Sequence, residues 1–322
     1  MPAPRTPDFF IVGSPKTGTT ALYEMLRAHP QIYMPDLKEP HFLADDLRPR
    51  EKFAEDRKEA LLPRTLERYL ALFDDAAPDQ RAGEASTFYL WSRTAADSIA
   101  DLQPQARVIA ILRDPASFLY SLHLLFMRWG VEEEGDLRKA ISLESARREG
   151  KSIPHRSHRP QLLQYADHVC YVEQLRRYHA RLQADQILVL IYEDFRRENE
   201  ATVRSVLRFL DADDQSLIRV VNTNVTTRTQ RSPRARYFLE SVVKGRSPIA
   251  RSTRNTLRRV TPQRMRRSSL QAFRDHVVNA AAPPPDESVM NELRERFKPE
   301  VVAASEYLGR DLVSLWGYDK IG

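Results

Sequence analysis

Residues 9–27 read FFIVGSPKTGTTALYEMLR. An apolar run leads into a loop with two glycines and a lysine, after which Leu22, Met25 and Leu26 recur at helical spacing, so the stretch reads as strand, glycine loop, helix. Such a loop suits a phosphate-like anion because backbone N–H groups in the turn and at the helix N-terminus converge on one point. Gly13 and Gly18 have the GxxxxG spacing of a P-loop, but Thr19 stands after Gly18, where a kinase or ATPase places its lysine. The lysine lies inside the loop, at Lys16. Thr20 is available as a magnesium-binding hydroxyl, yet no strand-end aspartate stands out as the separate acidic ligand that ATP chemistry needs.

The strand-then-helix plan recurs. Residues 107–112 form an apolar run, Asp114 and Pro115 make a helix start, and residues 118–129 are mostly apolar with aromatics. Residues 186–192, QILVLIY, precede a helix through Val203, Val206, Leu207 and Leu210. This alternation predicts an α/β fold: a P-loop-like parallel β-sheet flanked by helices on both faces, with helical insertions such as residues 48–68 and the loop 151–160. A single domain over residues 1–322 is expected, with its core at about 8–240 and a C-terminal helical part at 286–322. Between them, residues 241–274 carry ten basic and no acidic residues, read as a solvated face or as a lid on the acceptor side. The AAAPPP stretch at 280–285 marks a break before a last helix over 288–308.

Composition narrows the function classes. With 322 residues and 42% apolar content the chain can bury a sizeable core. Fifty Lys plus Arg against 44 Asp plus Glu give a net charge of +6, which suits an anionic small ligand without demanding nucleic acid. Cys170 is the only cysteine, so neither an intrachain disulfide nor a thiolate metal cluster is available, and a reducing compartment is favoured. The apolar run 9–12 is too short for a signal-peptide core, and no stretch approaches 18 consecutive apolar residues, so a soluble, cytoplasmic protein without a transmembrane segment is expected. The eight histidines are scattered, with only His155 and His158 close together, and no metal is expected. No nucleophile-elbow motif supports serine-hydrolase chemistry.

With PKTGTT at 15–20, the chain resembles the PAPS-dependent sulfotransferases, whose donor is 3'-phosphoadenosine 5'-phosphosulfate, in particular the bacterial and heparan-sulfate-type branch. The resemblance implies that Lys16, Thr17, Gly18, Thr19 and Thr20 hold the 5'-phosphosulfate end. A sulfuryl group is less charged than a terminal phosphate, so a lysine, hydroxyls and amides can hold it without a metal, and Lys16 is suited to the charge on the leaving oxygen. The second signature is an arginine ending a central strand and a serine eight residues later, here Arg113 and Ser121 in RDPASFLYS, which the resemblance assigns to the 3'-phosphate. Independently, an arginine leaving a parallel strand points into the ligand crevice, and its planar fork suits phosphate. Taken alone, Arg113 reads first as a surface ion pair, for instance with Asp114, and its occurrence together with the loop reverses that reading.

KEPHFL at 38–43 matches the family segment whose glutamate is the catalytic base, which gives Glu39 that role and makes His41 a substrate-orienting or proton-handling neighbour. A partly desolvated carboxylate with a raised pKa would serve, unless Lys38 pairs with it. Tyr192 in LIYEDF is implied to lie near the adenine, with simple packing as the alternative. Arg231 and Ser232, in the late loop 220–233, are further donor contacts by the same likeness, and Trp316 fits the C-terminal ending of bacterial members. One departure stands out: Ala85 in GEASTFY occupies a position where several relatives carry lysine, while Glu84 and Ser86 are expected to line the cleft. The expected reaction moves a sulfuryl group from PAPS to a hydroxyl of a small-molecule or carbohydrate-like acceptor, leaving PAP and a sulfate ester. A P-loop phosphotransferase using ATP and magnesium, and a non-catalytic anionic-ligand binding protein, are the alternatives.

Overall fold

Five strands form one parallel sheet in the order β2-β3-β1-β4-β5, with β1 at Phe9–Gly13, β2 at Ile32–Tyr33, β3 at Arg81–Ala85, β4 at Arg107–Leu112 and β5 at Ile187–Ile191. The computed structural model describes residues 5–47, 62–155, 157, 159–216, 218, 228–230, 279–281 and 284–321. Strand side chains alternate between two cores. Phe10, Val12, Val108, Ala110 and Leu112 enter one, and Phe9, Ile11, Ile109 and Ile111 the other, all fully buried. That double burial is why these strands read as continuous apolar runs.

Helices α1 (Thr19–Arg27), α8 (Tyr192–Arg197) and α9 (Asn199–Phe209) cover the Phe9 face. The other face is covered by α3 (Ala95–Leu102), α4 (Pro115–Trp129), α7 (Tyr171–His179) and α10 (Glu287–Leu308). Shorter helices α2 (Leu66–Leu70), α5 (Leu137–Ser142), α6 (Glu144–Arg148) and α11 (Leu312–Leu315) complete this set. Strands β6 (Arg228–Gln230) and β7 (Asn279–Ala281) pair antiparallel, and β6 runs beside α4. The expected α/β architecture is present, and the last helix begins one residue earlier than the periodicity indicates because Asp286 accepts from the Ser288 and Val289 N–H groups. Residues 48–61, His158, the basic stretch 241–274, Arg231 and Ser232 lie outside the described residues.

The sheet order reverses at β1, which lies between β3 and β4, so the C-terminal ends of these three strands open on one crevice. Gly83 sets the closeness of the β1–β3 pair. It lies opposite Phe9 in the register, and a Cβ there would come within 2.1 Å of the buried Phe9 ring. Gly83→Ala is therefore expected to cost about 1–3 kcal/mol through overpacking, read as a lower midpoint in denaturant; an unchanged midpoint would mean that Phe9 can move aside.

Candidate active site

The loop after β1 is pinned at several points. The Ser14 N–H donates to the Ile111 carbonyl at 2.9 Å, and the buried Thr17 hydroxyl donates to the Ser14 carbonyl at 2.6 Å. Thr17 thus spends its hydroxyl inside the loop and offers an anion only its backbone N–H. Gly18 caps α1 with φ of 83°, and a Cβ there would meet the Phe195 ring at 3.0 Å, so both conformation and space disfavour a side chain. Thr19 is buried and Thr20 half-buried in the first turn of α1. Lys16 also takes a positive φ, 65°. Its ammonium has a pKa lowered to about 8, first by burial and then by the charges of Arg113 and Arg128. Among the described residues no carboxylate pairs with it.

Arg113 leaves the end of β4 toward this loop. Its Nη1 donates to the Lys16 carbonyl and its Nε to the Ser117 hydroxyl, each at 3.0 Å, and its guanidinium carbon sits 4.6 Å from the Tyr192 ring centroid. The ion-pair reading with Asp114 does not hold. Asp114 caps α4, accepting from the Ala116 and Ser117 N–H groups, and also accepts from the Tyr318 hydroxyl at 2.8 Å. Ser121 lies buried one turn beyond Ser117 on the same helix face. The structure thus brings Lys16, the α1 N-terminus, Arg113 and Tyr192 together, with Ser121 on the helix that Arg113 leads into.

Several supports were not legible in sequence. Tyr171 donates to the Arg113 carbonyl at 2.8 Å, while the Trp316 indole N–H donates to Glu193 at 2.8 Å, and Glu193 also accepts from the Asp114 N–H at 3.5 Å. Burial raises the Glu193 pKa, partly offset by the Trp316 bond. The C-terminal residues Trp316 and Tyr318 therefore brace the turn that aims Arg113. Only the family likeness of Trp316 hinted at this, because the partners are more than 100 residues apart.

Across the crevice, the Glu39 N–H donates to the Ala85 carbonyl at the end of β3, and its carboxylate accepts from Lys38 at 2.6 Å and from Thr87 at 3.4 Å. About 30% of the Glu39 side chain stays exposed, enough for an acceptor to reach. The expected raised pKa is corrected. Burial pushes it up, but the charges of Lys38 and His41 and the hydrogen bonds from Lys38 and Thr87 outweigh burial and hold Glu39 below the ordinary carboxylate range. His41 is half-buried, desolvation of its ring lowers its pKa to about 4, and its Nδ1 has no hydrogen-bond partner among the described residues. Its Nε2 stands 3.8 Å from Glu39, too far for a hydrogen bond. His41 is therefore a neutral imidazole at physiological pH, able to orient a hydroxyl rather than to carry a charge.

Glu84 and Ser86 do not line the cleft. Both are fully buried beneath the 39–43 loop, where Glu84 accepts from the Tyr69, Ser86 and Tyr89 hydroxyls. Among the described residues no group of three His, Cys, Asp or Glu side chains is arranged to hold a metal ion, and no helix is long and apolar enough to cross a membrane.

A parallel α/β sheet with a glycine loop at its switch point, a strand-end arginine and a facing carboxylate is an arrangement suited to a phosphorylated ligand. The profile of the sulfotransferase family matches residues 7–216, and the chain belongs to that family. Carbohydrate sulfotransferase 15 of Homo sapiens is 34% identical over 157 residues, covering 37% of this chain and 27% of the human protein; the Mus musculus protein is 35% identical over the same length. The chain thus spans about a quarter of the length of the curated relatives it matches. A sulfotransferase from Alicyclobacillus acidocaldarius shares the fold with a TM-score of 0.66 at 24% identity, covering 97% of this chain and 99% of that one.

Trp316→Phe removes one donor from the buried Glu193 carboxylate. It is expected to lower stability by about 1–3 kcal/mol and to weaken binding of PAP, measured by thermal melts and calorimetry; unchanged PAP affinity would mean that the C-terminal brace does not set the Arg113 geometry.

Proposed function

We propose that this protein transfers a sulfuryl group from PAPS to a hydroxyl of a carbohydrate-like or small-molecule acceptor, yielding PAP and a sulfate ester. The observation that carries the reading is the juxtaposition of Lys16 and Arg113, two cations that form no ion pair within 4 Å among the described residues, at the glycine loop that caps α1. That cradle fits a nucleotide bearing anions at both its 5' and 3' positions. In this assignment Arg113 and Ser121 hold the 3'-phosphate, Tyr192 lies near the adenine, and Lys16 with the residues 17–20 holds the 5' end. Arg231 and Ser232 belong to the same proposal from sequence alone.

The chemistry then divides between two walls of the crevice. The bound donor supplies an electrophilic sulfur. Glu39, ionised because its pKa is depressed, accepts the acceptor's proton as the oxygen–sulfur bond forms. As the bond from sulfur to the bridging nucleotide oxygen breaks, the electron pair stays on that oxygen, where the Lys16 ammonium meets it. His41, neutral and with its Nε2 facing Glu39 at 3.8 Å, is suited to orient the acceptor hydroxyl or a neighbouring one. A carbohydrate-like acceptor is supported by the likeness to a carbohydrate sulfotransferase and by Trp129. That ring is 44% exposed and packs 6.1 Å from Phe88, which in turn lies 6.1 Å from His41, offering an amphipathic face beside the acceptor-side residues. A reducing compartment such as the cytoplasm is part of the proposal, from the single Cys170.

The direct test is transfer of labelled sulfate from PAPS to a panel of methyl glycosides and simple alcohols, with Glu39→Gln alongside. The expected result is a labelled sulfate ester from the wild type and a kcat about 10²–10⁴-fold lower in the variant with PAP affinity retained. No labelled ester together with no PAP binding would sink the reading. Lys38→Ala provides a pH test. Lys38 holds the Glu39 pKa down, so its removal lets that pKa rise, and the acid limb of kcat moves to higher pH; a limb that stays in place or moves lower would contradict Glu39 as the base.

A further inference from the structure

The loop that carries Glu39 and His41 has little regular structure of its own, and both residues have positive φ, 61° and 52°. Such backbone persists only where its surroundings over-determine it. The His41 N–H donates to the Ser86 hydroxyl at 3.0 Å, and that hydroxyl donates onward to Glu84. Two residues later the Leu43 N–H donates to the Tyr89 hydroxyl at 3.0 Å, and that hydroxyl donates at 3.3 Å to the other oxygen of the same carboxylate. Tyr69 contributes a third hydroxyl that touches Glu84 but not the loop in either relay.

We propose that Glu84 is a positioning residue that fixes the Glu39–His41 loop through the Ser86 and Tyr89 hydroxyls. As a carboxylate it can only accept, and this forces both hydroxyls to point at it and leaves their lone pairs for the two loop amides. Protonated, it loses the charge that strengthens all three bonds, and a proton given to Ser86 or Tyr89 reverses that relay. The groups that face it are the Tyr69 and Tyr89 phenols and the Ser86 hydroxyl, with the Tyr178 phenol bonded to the Tyr89 carbonyl behind them. No lysine or arginine among the described residues pairs with it. Burial accordingly raises its pKa to about 7, with the three hydroxyl bonds opposing the rise. The loop is then firmly held above neutral pH and loosens below it. The mechanistic meaning of this hold rests on the reading of Glu39 as proton acceptor, whereas the hold itself does not.

The test is residue-resolved amide hydrogen exchange of the intact protein, expressed as protection factors so that intrinsic pH effects cancel. In the wild type, protection of the His41 and Leu43 amides is expected to fall as pH drops through 7, and in Glu84→Gln to be reduced about tenfold, the factor one ordinary hydrogen bond produces, and to be flat with pH. Ser86→Ala should expose the His41 amide alone and Tyr89→Phe the Leu43 amide alone, which decides the matter even if Glu84→Gln folds poorly. Tyr69→Phe, whose lost hydroxyl lies closer to Glu84 than that of Tyr89, should leave both amides protected at alkaline pH. In turnover, the single-relay variants should lower kcat while leaving KM for PAPS and PAP affinity unchanged. Unchanged protection in the relay variants, or the same loss in Tyr69→Phe, overturns the proposal. A wild type that fails to bind PAP would instead overturn the functional reading, with the amide result still deciding the role of Glu84.

Discussion

The site is built around an electrostatic debt: Lys16 and Arg113 are held close enough for the guanidinium to donate to the Lys16 carbonyl, and for its charge to depress the ammonium's pKa. Folding places like charges together here without a carboxylate between them among the described residues. Asp114, the next residue in the chain, is committed to capping α4 and to Tyr318, and Glu193, whose burial-raised pKa the Arg113 charge partly lowers, accepts from the Trp316 indole and the Asp114 N–H. The free energy that this repulsion costs is recovered only when an anion enters, which is how a preorganised binding site differs from a salt-bridged surface. The rest of the architecture serves that arrangement. Parallel strand ends aim the loop and the arginine at one crevice, Gly18 leaves room for Phe195, and the C-terminal Trp316 and Tyr318 lock the turn after β4.

Two carboxylates on the opposite wall show how environment divides roles between chemically identical groups. Glu39 keeps partial solvent access and an adjacent ammonium, so it stays ionised and available. Glu84, at the end of β3, is shielded from solvent and among the described residues has only hydroxyl donors and no cation beside it, so its proton is held more tightly. The first is suited to take a proton from an acceptor, and the second to act on the loop that carries the first.

What was legible in the sequence was local. The glycine loop, the strand-end Arg113 and Ser121 eight residues later, and KEPHF each lie within a short stretch, and the parallel sheet follows from runs of apolar residues that alternate between two cores. What was not legible depends on contacts between distant segments. The sign of the Glu39 pKa shift turns on whether Lys38 folds back onto it, which sequence adjacency permits but does not decide. Glu84 and Ser86, flanking Ala85, were expected to line the cleft, whereas Glu84 turns under the loop to meet Tyr69 and Tyr89. Phe195 against Gly18, Tyr171 on the Arg113 carbonyl and Trp316 on Glu193 join elements between about 60 and 180 residues apart, and no spacing rule reaches across that distance.

The measurement that bears most directly on the central claim is calorimetric titration with PAP in metal-free buffer, repeated with Lys16→Ala and Arg113→Ala. The predicted result is tight binding by the wild type that either variant abolishes. Proton uptake on binding near pH 8 should accompany it in the wild type, because an anion beside Lys16 raises the pKa that burial and Arg113 have lowered. Absence of PAP binding in the wild type, or binding that survives both substitutions, would contradict the account of this crevice as a nucleotide site organised by those two cations.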